Sequence, residues 1–102
     1  MYEQLKQALI SADLAAQQIS IDKTCGIEYL IVDEVIFVDM WQDEDEGICG
    51  RVTYEVDDTV ALPICHGIEA IVQDVLRAQD HVWAVNEAMK NNGGELPVGW
   101  CY

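Results

Sequence analysis

The stretch EYLIVDEVIFVDMWQDEDEGICGRVTYEVDD, Glu28 to Asp58, decides the fold. It holds eleven of the chain's 19 carboxylates and one of its five Lys and Arg residues, Arg51. It is also rich in Val, Ile, Tyr and Phe, residues that suit a pleated, half-buried surface. A strand in a two-layer domain buries one face, so its carboxylates are left to the other face and to the turns.

Ile27 to Trp41 reads as strand, interrupted by Asp33-Glu34 between the apolar runs Tyr29–Val32 and Val35–Val38. Two arrangements compete: one long strand bulged near Asp33, or two short strands. A two-residue Asp-Glu turn lacks the residues that readily take positive φ, which favours the single bent strand. Gln42 to Gly47 is a loop with four consecutive acids, Asp43, Glu44, Asp45 and Glu46, closed by Gly47. Ile48 to Asp57 alternates cleanly: Val52, Tyr54 and Val56 face one way, and Arg51, Thr53, Glu55 and Asp57 the other. Asp57-Asp58 turns the chain into a third short strand, Thr59 to Leu62. Together these make a three-stranded antiparallel meander.

Outward from this ribbon, Tyr2 to Gln18 reads as a helix, with Leu5, Leu9, Ala12, Ala16 and Ile19 at helical spacing. Ser20 to Gly26 is its exit loop. Pro63 ends the third strand. His66 to Lys90 reads as a long helix whose stripe runs through Ile68, Ile71, Val72, Val75, Leu76, Val82, Trp83 and Met89. Asn91-Asn92-Gly93-Gly94 stops it. The remainder, 95–102, contains Pro97 and Gly99 and reads as an irregular tail. Its Val98, Trp100 and Tyr102 are apolar enough to dock on the body or on a partner. The expected fold is a single α+β domain over 1–102, of order αβββα, with both helices on one sheet face and the other face left to solvent.

The chain has 102 residues, 51% of them hydrophobic, which suffices for one core. Its net charge of -14 disfavours direct binding to a nucleic-acid backbone, because like charges repel and no counterions are released. A basic protein surface is the natural complement. The N-terminus, MYEQLKQALISADLAAQQ, lacks the basic and apolar regions of a signal peptide, and no apolar run is long enough to span a membrane. A cytoplasmic location is expected, so Cys25, Cys49, Cys65 and Cys101 read as reduced thiols.

No motif announces an enzyme, and no cofactor is expected. Asp43-Glu44-Asp45-Glu46-Gly47 opens like a calcium loop, but Ile48 stands where that loop needs its glycine, and Tyr54 where it needs its bidentate glutamate. For zinc, Cys65, His66 and His81 are available, with Cys49 or Cys101, but there is no C-x-x-C pair and the adjacent Cys65-His66 chelates poorly. Cys65 near a helix start would gain thiolate character, whereas acidic surroundings oppose it. The residues that point to function are acidic: Asp33, Asp39, Glu55, Asp57 and Asp58 along the ribbon, and Asp43 to Glu46 at the loop. On one strand face they would stand about 6.6 Å apart, near the spacing of phosphates. Trp41 beside the acidic loop is the candidate anchor, since aromatics carry most interface energy.

The runs Asp39 to Glu46 and Glu55 to Asp58, in a short acidic chain without a catalytic motif, resemble the small phage inhibitors of host defence. These include anti-CRISPR proteins and DNA-mimic anti-restriction proteins. The resemblance covers charge and size. It implies a non-enzymatic inhibitor, at work in the host cytoplasm, that covers the positive groove of a basic nucleic-acid-handling protein or complex. Immunity proteins that neutralise nuclease toxins share the profile. An adaptor forming a homodimer through the tail is the remaining alternative.

Overall fold

A computed structural model describes residues 1–56 and 58–94. The order is α1 (Tyr2–Ser11), a 3-10 turn (Ala16–Gln18), β1 (Ile19–Thr24), β2 (Ile27–Val32), β3 (Ile36–Asp43), β4 (Gly47–Glu55), β5 (Thr59–Ala61), β6 (Cys65–His66) and α2 (Ile68–Asn91). The strands form one antiparallel sheet in the order β1-β2-β3-β4-β5, with β6 also paired to β4. The α+β architecture, with a helix at each end of an antiparallel meander and the long helix on the sheet, is the one read from the sequence. Among the described residues the sheet has six strands in place of three.

Two of the added strands arise at one turn and one loop. Asp33 and Glu34 both take positive φ, 54° and 64°, so the chain reverses there and the expected long strand is a hairpin of β2 and β3. Its turn is held from outside. The Asp33 carboxylate accepts hydrogen bonds from Gln18 Nε2 at 2.9 Å and Gln79 Nε2 at 3.0 Å, and the Asp33 N–H donates to Gln18 O at 2.9 Å. The expected exit loop after α1 is instead β1, joined to β2 by Cys25-Gly26, also both at positive φ.

The first helix is correspondingly shorter than Tyr2 to Gln18. It ends at Ser11 in a Schellman motif. Asp13 sits at φ 75°, its N–H donates to Ile10 O at 3.1 Å, and the Leu14 N–H donates to Leu9 O at 3.2 Å. Leu9 and Leu14 are both buried, which supplies the apolar contact that accompanies this cap. Asp is one of the few non-glycine residues that tolerate the left-handed position.

Leu30, Val32, Ile36, Val38, Met40, Val52 and Tyr54 form the buried sheet face. Leu5 and Leu9 of α1, and Ile71, Val72, Val75 and Ala78 of α2, complete the core. Each fully buried Leu, Ile or Val contributes about 1.5–3 kcal/mol of hydrophobic stabilisation relative to exposure. The α2 stripe continues through Val82 to Val85, whereas Trp83, assigned above to that stripe, is 65% exposed. Gly50 lets α2 approach β4 closely: a Cβ there would lie 2.5 Å from Ile71 Cδ1.

Beyond Val38 the sheet forks. Pairing of β2 with β3 ends at Leu30↔Val38, while β1 and β2 stay paired out to Thr24↔Ile27. Tyr2 of α1 fills the fork, its hydroxyl meeting the backbone of Met40. The expected tail over 95–102 and the residue Asp57 lie outside the described residues.

Candidate functional site

The outer sheet face is set by strand alternation. With Leu30, Val32, Ile36 and Val38 turned to the helices, Tyr29, Ile31, Phe37, Asp39 and Trp41 face the other way. Ile31 and Phe37 are direct cross-strand partners. Tyr29, Ile31 and Phe37 are half-buried and are not among the residues packed against the core, and Trp41 is 37% exposed. This face was expected to be densely negative. It is instead mixed: Tyr29, Ile31 and Phe37 of β2 and β3 are flanked by Ser20 and Asp22 of β1 and by Arg51 and Thr53 of β4, because the apolar runs of β2 and β3 are split by alternation between both faces.

The predicted acidic residues fall into three places. Asp39 lies on the outer face, opposite Arg51 in register. Asp43, Glu44, Asp45 and Glu46 form the turn of the β3–β4 hairpin beside Trp41. Asp33, Glu55 and Asp58 lie at the opposite end of the strands, about 25 Å away at the usual rise for the length of β3. The ladder of carboxylates at phosphate-like spacing therefore does not form. The structure brings Trp41 together with the four tip acids, and it separates Asp33, Glu55 and Asp58 from them.

The tip is built by local chemistry. Asp43 Oδ1 accepts the N–H groups of Asp45 at 2.9 Å and Glu46 at 3.1 Å, and Gly47, at φ 77°, closes the turn. Glu44 and Asp45 are exposed. Among the described residues Asp74 pairs with Arg77 at 3.0 Å, and a Glu46 carboxylate oxygen lies 2.9 Å from His66 Nδ1. Among the described residues no lysine or arginine pairs with the tip.

Cys49, His66 and Glu46 converge at the base of this turn. Cys49 and His66 are register partners on β4 and β6, with Cys49 Sγ 3.3 Å from His66 Nδ1. Burial, then the charges of Asp43 and Glu46, push the Cys49 thiol above its ordinary pKa. Cys65, whose place near a helix start suggested activation, is pushed up to about 11, first by burial and then by Asp74. Neither thiol has the electropositive surroundings of a nucleophile. The cluster was missed from sequence because Cys49 and His66 meet only through the β4–β6 pairing. Spacing in the chain carries no sign of it.

At the opposite end, a groove of about 480 Å³ is walled by Val35, Ile36 and Glu55 of the sheet and Gln79, Val82 and Trp83 of α2. Among the described residues no helix is long and apolar enough to cross a membrane. Comparison of the chain with protein-family models, with curated proteins and with solved structures finds no match.

Proposed function

We propose that this protein is a non-enzymatic inhibitor that binds a basic, nucleic-acid-handling protein in the cytoplasm and occludes its nucleic-acid site. The observation that carries this reading is the junction of two surfaces. Half-buried Ile31 and Phe37 and exposed Trp41 share the outer face with Asp39, and Trp41 adjoins a hairpin tip whose carboxylates, among the described residues, pair with no lysine or arginine. Exposed apolar patches rimmed by polar residues mark interaction sites. Tip charge accelerates encounter with a cationic partner, while the desolvated aromatics hold the complex. The tip, and no longer a whole acidic face, is the part that enters the positive groove.

The test is capture of basic nucleic-acid-binding proteins at low and high salt, followed by measurement of the captured protein's nucleic-acid binding. Wild type should retain such a protein at low salt and displace its nucleic acid. Glu44→Gln/Asp45→Asn should flatten the salt dependence. Capture that ignores salt and both tip charges, or a complex that still binds nucleic acid, overturns the reading.

A further inference from the structure

We propose that Glu46, Cys49 and His66 form a binding site for one divalent metal ion of the zinc class. The three donors come from three separate segments: the β3–β4 turn, β4 and β6. Glu46 Oε2, Cys49 Sγ and a ring nitrogen of His66 all lie within 4.8 Å of one another. Bonds of about 2.0–2.3 Å to a tetrahedral ion place neighbouring donors about 3.3–3.6 Å apart. Cys49 Sγ and His66 Nδ1 already stand 3.3 Å apart, and Glu46 Oε2 is 2.9 Å from the same nitrogen.

That shared nitrogen is the reason to invoke an ion. Nδ1 of a neutral imidazole carries one hydrogen or none. With the hydrogen it serves the Glu46 carboxylate and leaves the Cys49 thiol only the distant Gly47 O at 3.9 Å, and without it the thiol, so it cannot bond well to both. A cation between the three donors engages all of them at once. Cys49 is buried and fixed on β4 between Trp41 and His66, while Glu46 and His66 are exposed and free to adjust by a few tenths of an ångström.

The donor set selects the ion. Thiolate and imidazole favour zinc and its softer neighbours over calcium and magnesium, which want oxygen alone. Asp43, Glu44 and Asp45 beside the site raise the local cation concentration. On binding, the Cys49 thiol gives its proton to solvent and the thiolate takes the metal. Three protein ligands leave a fourth position for water or for a donor from a partner. This site stands independently of the inhibitor reading.

Cobalt(II) titration of the full chain under reducing conditions tests it, followed by displacement with zinc and a parallel titration with calcium. One cobalt per chain should bind, with a thiolate-to-cobalt absorption band that zinc abolishes. Cys49→Ala should remove the band, while Cys25→Ser/Cys101→Ser and, separately, Cys65→Ala keep it. Glu46→Gln and His66→Ala, both at exposed positions that leave folding intact, should each weaken binding by about tenfold or more. Absence of the band in wild type, its survival in Cys49→Ala, affinity unchanged in His66→Ala, or calcium binding as tightly as zinc would each overturn the site.

Discussion

The Tyr2 hydroxyl takes the place of a missing strand: it accepts the Met40 N–H at 2.9 Å and faces Met40 O at 3.4 Å. Both backbone groups lie on the side of β3 from which β2 has departed. Tyr2→Phe keeps the ring in the fork and leaves that N–H without its partner. We expect a loss of about 1–3 kcal/mol, the usual penalty for a buried donor left unsatisfied. Urea denaturation of the two proteins checks it.

The same residue gives an alkaline signature. Burial raises the pKa of Tyr2 above 10.0 and does the same to Tyr54. As pH passes 10, the unfolded chain loses these protons while the folded chain keeps them. The unfolded state then binds fewer protons, so stability falls as pH rises. The contribution is whole below pH 10 and disappears as pH climbs through the folded values. Denaturation midpoints taken across this range should decline, and Tyr2→Phe should decline less steeply.

Gly50 faces Ile71 with no room for a methyl group, since an added Cβ would meet Cδ1 at 2.5 Å and Cγ1 at 2.8 Å. Ile71 is fully buried, so any shift of its side chain disturbs the packing around it. Gly50→Ala should cost about 1–3 kcal/mol by overpacking. Ile71→Val alone should cost about 0.5–1.5 kcal/mol. In the double variant the two costs should sum to less than their separate values, because the valine lacks the atom in closest conflict. A thermodynamic cycle over the four proteins reads this coupling.

Glu34 is exposed and sits at φ 64°. The left-handed conformation costs a residue with a Cβ about 1–2 kcal/mol, while glycine's extra chain freedom costs about 0.5–1 kcal/mol. Glu34→Gly should therefore stabilise the fold by roughly 0.5–1 kcal/mol. Asp33→Gly should not, because it also removes the carboxylate gripped by Gln18 and Gln79. Thermal melts of both variants separate the two effects.

For partner binding, the tip and Trp41 should act on different rates. Glu44→Gln/Asp45→Asn should lower the association rate and flatten its salt dependence, with little change in dissociation. Trp41→Ala should raise the dissociation rate by about tenfold or more, in the range of an aromatic hot spot. Surface plasmon resonance at two ionic strengths distinguishes them.

Legibility followed the range of the interaction. The α2 helix was readable because its stripe repeats over many turns, and β4 because Val52, Tyr54 and Val56 alternate without interruption. The hairpin at Asp33-Glu34 was hidden because its turn is stabilised from Gln18 and Gln79, which lie far off in the chain. The helix stop at Asp13 was hidden because a left-handed aspartate looks like any polar-face residue. The mixed character of the outer face follows from alternation, which sets Tyr29, Ile31 and Phe37 on the same side as Asp39, while net charge reports nothing of which face an apolar residue takes. The Glu46–Cys49–His66 cluster needed the pairing of β6 with β4, which no local pattern announces.

Strand β4 is the one place where every layer meets. β3 lines one edge, β5 and β6 share the other, Leu62 N–H bridges to Val52 O between them at 2.9 Å, and α2 covers its inner face. Its centre cannot open without disturbing several elements together. The amides of Val52 and Tyr54 are therefore set to exchange with deuterium on global unfolding, which makes them reporters of the stability of the whole molecule.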